Sequence, residues 1–163
     1  MNTLPFATYD VFTNNRFGGN PLAVVFNADA LSPTQMQTIA REFNLSETIF
    51  VCTPAIAKHE AAVRIFTPTK ELPFAGHPTI GCAIALAEAR HAAAGPKDLL
   101  LVLEERVGPV RCAVKLRDNG ASFAEFAAPK LAEPAGPDPS PETAARALGL
   151  ARSDIGFENH APT

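Results

Sequence analysis

The chain has 163 residues, 47% of them hydrophobic and 19% charged, with 14 Lys and Arg against 17 Asp and Glu for a formal net charge of −3. That length suits one domain, or one domain with extra pieces, and the charge balance gives no electrostatic case for nucleic acid or an anionic membrane as partner. Three cysteines, Cys52, Cys82 and Cys112, make no disulfide framework and read as reduced core thiols of a cytoplasmic protein, and the opening MNTLPFATYDVF lacks the basic-then-apolar order of a secretory signal.

In chain order, Leu4 to Phe12 predicts a strand, Thr13 to Gly19 a loop with turn formers at both ends, and Pro21 to Phe26 a short apolar strand covered on both faces. Ser32 and Pro33 open a helix as N-cap and first helical residue, and Met36, Ile39, Ala40 and Phe43 follow at helical spacing. Asn44 to Glu47 is a turn feeding the β-branched and aromatic strand Thr48 to Cys52. Pro54 to His59 is a loop, and Glu60 to Phe66 alternates as a strand.

The stretch from Glu71 to Ala94, ELPFAGHPTIGCAIALAEARHAAA, organises the rest. Pro78 suits the first turn of a helix, where its missing N–H would have had no partner. Apolar residues then fall on every side, so the helix must be surrounded by protein, and small Gly81, Ala83, Ala85 and Ala87 let other backbone come close. Glu88 and Arg90 leave its apolar part too short to cross a bilayer, and Gly95-Pro96 stops it. Its first turn, around Gly76, His77, Pro78 and Thr79, offers free N–H groups and a positive end to an anion such as a carboxylate.

Beyond the helix, Leu99 to Leu103, Val110 to Leu116 and Ala121 to Phe126 read as strands, separated by Arg106 to Pro109 and by Asp118-Asn119-Gly120. Asn-Gly is a strong hairpin signal, so the last two pair antiparallel. Strands on both sides of one buried helix imply an α+β fold: a curved, mostly antiparallel sheet wrapped around one central helix. Composition changes at Ala128. Residues 129–163 read as a proline-dense linker, then a short helix with Ser140 as N-cap, Pro141 at its first position and Gly149 past its end.

Glu47 is one candidate for chemistry. A carboxylate on a corner between apolar elements is held rigidly and partly dried, which fits it to take and give a proton; the plain alternative is an exposed turn residue or a cap. His77, at the helix mouth, could bond a substrate or share in proton transfer, or merely cap the helix. His59, His91 and His160 have no carboxylate or Cys at ligand spacing, so no metal is expected. Gly18-Gly19-Asn20-Pro21 is not a dinucleotide fingerprint and reads as a turn whose backbone approaches a ligand. The cysteines lie in apolar segments and read as packing, not as nucleophiles.

The order DVFTNNRFGGNPLAVV, then a helix, then REFNLSETIFV, then RIFTPTKELPFAGHPTIGCA resembles the PhzF-like isomerases, with the later strands and ALGL agreeing more loosely. The resemblance implies the diaminopimelate-epimerase-like fold: two similar halves, each a curved sheet round a helix, with the site in the cleft where two helix N-termini face each other. It implies an isomerase without cofactor or metal, acting on a small carboxylate such as trans-2,3-dihydro-3-hydroxyanthranilate, and a homodimer. Glu47 would move the proton. Gly76, His77 and Pro78 would contact the substrate, and Gly19, Asn20 and Pro21 would line the cleft. Family members are nearly twice as long, and their second helix mouth is absent here. Residues 1–128 are therefore expected to be the first half and 129–163 the linker and opening of the second, inactive alone. The alternatives are a non-catalytic half that binds a small acidic metabolite or assembles with another half, and, less favoured for want of a thiol at the helix mouth, a racemase or epimerase.

Overall fold

Period-two alternation and β-branched residues build most of the chain. The computed structural model describes residues 3–91, 95–130, 133, 136–137 and 139–156. Its strands are β1 (Phe6–Val11), β2 (Asn20–Val25), β3 (Glu47–Cys52), β4 (Ala61–Phe66), β5 (Glu71–Leu72), β6 (Lys97–Glu105), β7 (Gly108–Leu116) and β8 (Phe123–Phe126). Its α-helices are α1 (Pro33–Phe43), α2 (Gly76–His91) and α3 (Pro141–Leu148). One sheet runs in the order β1-β2-β3-β4-β6-β7-β8, with β5 on β4. Pairing is antiparallel except for β2 with β3 and β4 with β6. The expected curved, mostly antiparallel sheet around one helix is what forms.

The central helix packs against β1, β2, β3, β6, β7 and β8. Pro78 to Ala83 and Ala85 to Ala87 are buried, and the partly exposed Ile84 and Glu88 leave only a narrow open stripe. Leu22 and Val24 of β2, Ile49 and Val51 of β3, Val63 and Ile65 of β4, Leu101 and Leu103 of β6, and Val110, Cys112 and Val114 of β7 face this core. On the opposite side Val25, Phe50 and Phe66 are also dry, while Ala62 and Arg64 of β4 stay partly exposed. Val25, Phe50 and Phe66 pack with Met36 and Ala40, the buried residues of α1. Two-sided burial of the central strands explains why PLAVVF carries no polar alternation. α1 starts as expected, Ser32 and Gln35 forming a reciprocal capping box, and ends on Asn44 in the left-handed region at φ 52°.

The structure moves several boundaries. Strand β1 stops at Val11 because Phe12 takes a positive φ of 65°, which a pleated strand cannot contain. Helix α2 begins at Gly76, so Pro78 lies third in its first turn. The short β5 went unread because two residues carry no period. Its Glu71 accepts two hydrogen bonds from Arg64 and one from Arg106. The turn between β6 and β7 is only Arg106-Val107, with Gly108 at φ 123°. The Asn119-Gly120 connection does join antiparallel strands, but as part of a longer loop from Arg117 to Ser122.

The chain divides into two units between Pro129 and Lys130. In the second, α3 is capped by the Ser140 hydroxyl, which accepts from the Thr143 N–H, and ends on Gly149 at φ 69°. Arg152 then pairs with Glu142 at 2.9 Å. The predicted continuation of the central helix through Ala94, much of the linker, and the closing ENHAPT with His160 lie outside the described residues.

Gly81 is where α2 meets the sheet most tightly: a Cβ there would lie 2.4 Å from Leu22 Cδ2 and 2.8 Å from Val11 Cγ2. Gly81→Val overpacks that contact and is expected to cost about 1–3 kcal/mol, read as a fall in the urea midpoint. An unchanged midpoint would show that α2 can shift within its sheet.

Candidate active site

Three segments start at one rim of the sheet. Strand β2 begins with Asn20. Strand β3 runs parallel to it and begins with Glu47, in register with Leu22. Helix α2 begins with Gly76 and His77. Parallel pairing puts both strand starts at the same end, and the helix in the concave face brings its own start there. Gly19 is required by the approach of the chain, because a Cβ would fall 2.2 Å from the Val11 carbonyl oxygen.

Glu47 and His77, separated by thirty positions, are in direct contact: His77 Nδ1 lies 2.8 Å from Glu47 Oε2. The other ring nitrogen, Nε2, lies 3.0 Å from the Asn20 carbonyl oxygen. A carbonyl oxygen only accepts, so Nε2 carries a hydrogen and donates it. That leaves Nδ1 facing a carboxyl, and the contact needs one further proton. Either His77 is an imidazolium donating to a carboxylate, or Glu47 is protonated and donates to Nδ1. The pair thus holds a mobile proton over 2.8 Å. The His77 side chain is 9% exposed and that of Glu47 19%, enough for a ligand to reach them. Among the described residues no hydrogen bond holds Glu47 Oε1.

Around this pair, the Ser46 hydroxyl donates to Asn20 Oδ1 at 3.2 Å, tying the start of β3 to the start of β2. The Phe12 ring lies tilted, 6.1 Å from the His77 ring. Pro78 is buried and shapes the first turn of the helix, and Pro21 is exposed beside Asn20. The anion seat at the helix start is narrower than expected. Pro78 has no N–H, and the Thr79 N–H already bonds the Ala75 carbonyl at 3.3 Å, so Gly76 and His77 supply its donors. Beyond Phe12 a groove of about 410 Å³ follows α2 between β1 and β8, lined by Tyr9, Phe12, Ile84, Glu88 and Phe123 among others. Glu47 and His77 do not line it. Within it the Tyr9 hydroxyl donates to Glu88 at 3.0 Å, and burial together with that carboxylate pushes its ionisation well up.

His59 does have a carboxylate, from far along the chain: Nδ1 lies 2.8 Å from Glu104 Oε1, and Glu104 also accepts from the Ala55 and Ile56 N–H groups, which hold its carboxyl below the usual range. Glu104 anchors the loop before β4. Among the described residues no cluster of three or more His, Cys, Asp or Glu side chains is arranged to hold a metal ion. Cys82 and Cys112 are fully buried and Cys52 half-buried, and none of the three lies at the helix mouth. One buried carboxyl near the site, Glu105, escaped the sequence reading. The signal was there, because the alternation Leu101, Leu103, Glu105 aims it at the core.

The model of the family described as phenazine biosynthesis-like protein matches residues 9–161. The chain is 56% identical over 161 residues to an uncharacterized isomerase of Mesorhizobium japonicum, covering 98% of this chain and 52% of that protein. It is 46% identical over 119 residues to the trans-2,3-dihydro-3-hydroxyanthranilate isomerase of Pseudomonas chlororaphis, covering 73% and 40%. The crystal structure of the Bacillus anthracis phenazine biosynthesis protein of the PhzF family superimposes with a TM-score of 0.71 at 32% identity, covering 96% of this chain and 50% of that one. The chain spans about half the length of the curated relatives it matches.

The shared proton makes a spectroscopic prediction. In Glu47→Gln the amide can donate to Nδ1 but carries no exchangeable acid proton, so His77 is expected to be the neutral tautomer with hydrogen on Nε2 only, seen in ¹⁵N–¹H spectra of the ring. A hydrogen on Nδ1 in that variant would break the assignment of donors.

Proposed function

The chain belongs to the phenazine biosynthesis-like, or PhzF-like, family of isomerases, with its diaminopimelate-epimerase-like half-barrel, and from that premise we propose that it carries the proton-transferring half of a cofactor-independent isomerase. The observation that supports this most directly is the Glu47–His77 contact at 2.8 Å, with Nε2 anchored on the Asn20 carbonyl. Glu47, as carboxylate, takes a proton from a carbon beside a conjugating group. The electron pair of the broken C–H bond moves into the conjugated system, and the same carboxyl returns the proton to another carbon of that molecule. Nothing is oxidised and no group leaves, so the reaction balances without a co-reactant.

In this reading Oε2 stays on His77, which fixes the carboxyl plane and balances its charge, while Oε1 meets the substrate. The Gly76 and His77 N–H groups at the helix start receive the substrate carboxylate. Gly19, Asn20 and Pro21 form the adjoining wall. The substrate class is a small carboxylic acid with an acidic C–H, of the kind the Pseudomonas chlororaphis relative is named for. A homodimer of the longer form in the cytoplasm, as the resemblance implies, belongs to the same proposal.

A cleft closed by two helix mouths excludes water from the developing charge. Among the described residues α2 supplies one such mouth, with Phe12 71%, Phe17 84% and Phe123 50% exposed. We therefore expect this polypeptide on its own to be inactive and to self-associate through that apolar surface. The check is its mass in solution and its turnover of dihydro-hydroxyanthranilate beside a full-length family member. A soluble, active monomer would show that one half suffices. In the longer form, Glu47→Gln is expected to lower turnover about a hundred- to ten-thousand-fold while ligand binding changes little. Normal turnover would remove Glu47 from the mechanism, and binding without turnover in the unaltered protein would favour a non-catalytic metabolite-binding role.

A further inference from the structure

Glu105 ends β6 on the face that buries Leu101 and Leu103, and is itself only 8% exposed. Its Oε1 lies 2.7 Å from the Thr79 hydroxyl. Its Oε2 is buried and, among the described residues, without a hydrogen-bond partner. The same Thr79 hydroxyl lies 2.7 Å from the Ala75 carbonyl oxygen, one turn back in α2. A hydroxyl has one hydrogen, and a carbonyl can only accept. When Thr79 donates to Ala75, the contact with Glu105 is completed only by a protonated carboxyl that donates to Thr79. The opposite arrangement would leave a carboxylate in the core with one hydrogen bond and a bare second oxygen, which is strongly disfavoured.

The surroundings agree. The titratable groups facing Glu105 are two thiols, Cys82 of α2 and Cys112 of β7. Burial pushes both thiols up, Cys112 to about 12, so they stay neutral. Arg106, the next residue, turns to Glu71, and Arg90 bonds Glu60, so neither cation compensates a charge here. Burial raises the Glu105 carboxyl from its ordinary 4.5 to about 7, and even a Thr79 hydroxyl turned to donate to it would offset that only in part.

We propose that Glu105 is a neutral carboxylic acid whose O–H, relayed through Thr79 to Ala75, clamps the first turn of α2 to the end of β6 and so positions His77, two residues away, against Glu47. Glu105 touches none of the reacting groups and acts through α2. The inference rests on the proposed proton transfer only in its consequence for catalysis; the clamp stands independently. Its pH dependence has a definite sign. The unfolded chain releases this proton near 4.5, whereas the folded chain holds it to about 7. Between those values the folded state binds more protons, so stability falls as pH rises and levels off above about 7. Above that point Glu105 can no longer donate, Thr79 must turn, and the helix start loosens.

The experiment follows thermal unfolding and the His77 Nε2–H resonance from pH 4 to 9 in the protein and in Glu105→Gln and Glu105→Leu. The Gln amide donates to Thr79 as the neutral acid does but never ionises. The expected result is a fall in Tm through the window from about 4.5 to about 7 that Glu105→Gln removes. With it should come a component of the His77 shift with a midpoint near 7 that is present in the protein and lost in Glu105→Gln. Glu105→Leu, which has no donor, should show the loosened His77 signal at every pH. A neutral-carboxyl infrared band at pH 6, absent from Glu105→Gln, identifies the acid directly. If that band is missing and the Tm profiles of protein and Gln variant run parallel, the neutral acid is overturned. If the band is present but the His77 component survives in Glu105→Gln, the positioning role is overturned. None of the three readouts uses turnover, so failure of the proposed isomerase reading would be seen separately.

Discussion

A helix without a polar face has to be covered on every side, and that requirement shapes this molecule. Sequence places apolar or small residues all round α2, and six strands close on it. A flat sheet could bury one face only. Curling the sheet buries the rest and leaves a narrow stripe at Ile84 and Glu88 between β1 and β8. Tight approach is possible because the helix carries Gly81 where Leu22 and Val11 press against it. The site follows from the same geometry: a helix held in the concave face must start at one rim, and the parallel strands β2 and β3 begin there too.

At that rim two carboxyls serve the first turn of α2 in opposite surroundings. Glu47 is partly exposed, contacts the His77 ring and can meet a ligand. Glu105 is dry, contacts Thr79 and faces thiols only. In the proposed reading the division is between a group placed to exchange a proton and one placed to hold a hydrogen bond. Ser46, bonded to Asn20, supplies a third link by joining the two strand starts.

The outer layer stabilises the same rim. Helix α1 covers the convex face with Met36 and Ala40 against Val25, Phe50 and Phe66, and its end at Asn44 delivers the chain into β3 after two residues. Glu47 is therefore set between a capped helix and a strand buried on both faces, which limits how far its backbone can move. The loop before β2 is built differently. Phe12 and Phe17 both take positive φ, with the Phe17 N–H donating to Asp10 Oδ2 at 2.8 Å. A bulky residue in that region is strained, and both rings point outward, that of Phe12 beside His77.

Much of this was legible from residue order alone. The capped helix at Ser32-Pro33, the doubly buried strand PLAVVF and the buried central helix follow from local periodicity and cap chemistry, which act over a few residues. Glu47, His77 and Asn20 could be named as candidates, because motif order survives without coordinates. That Glu47 and His77 share one pocket follows from the family resemblance; that they bond each other directly does not, since a contact across thirty positions depends on how the sheet curls and not on spacing. The same holds for His59 with Glu104, forty-five positions apart, and for the two-residue β5, too short to show a period. Glu105 stands in an inward phase that can be counted along β6, but only the packed core shows that among the described residues no cation accompanies it and its one partner is a hydroxyl already committed to Ala75. Sequence set which faces are apolar, because that is a property of each residue; tertiary structure decided which polar groups share a proton, because that is set by distances between residues remote along the chain.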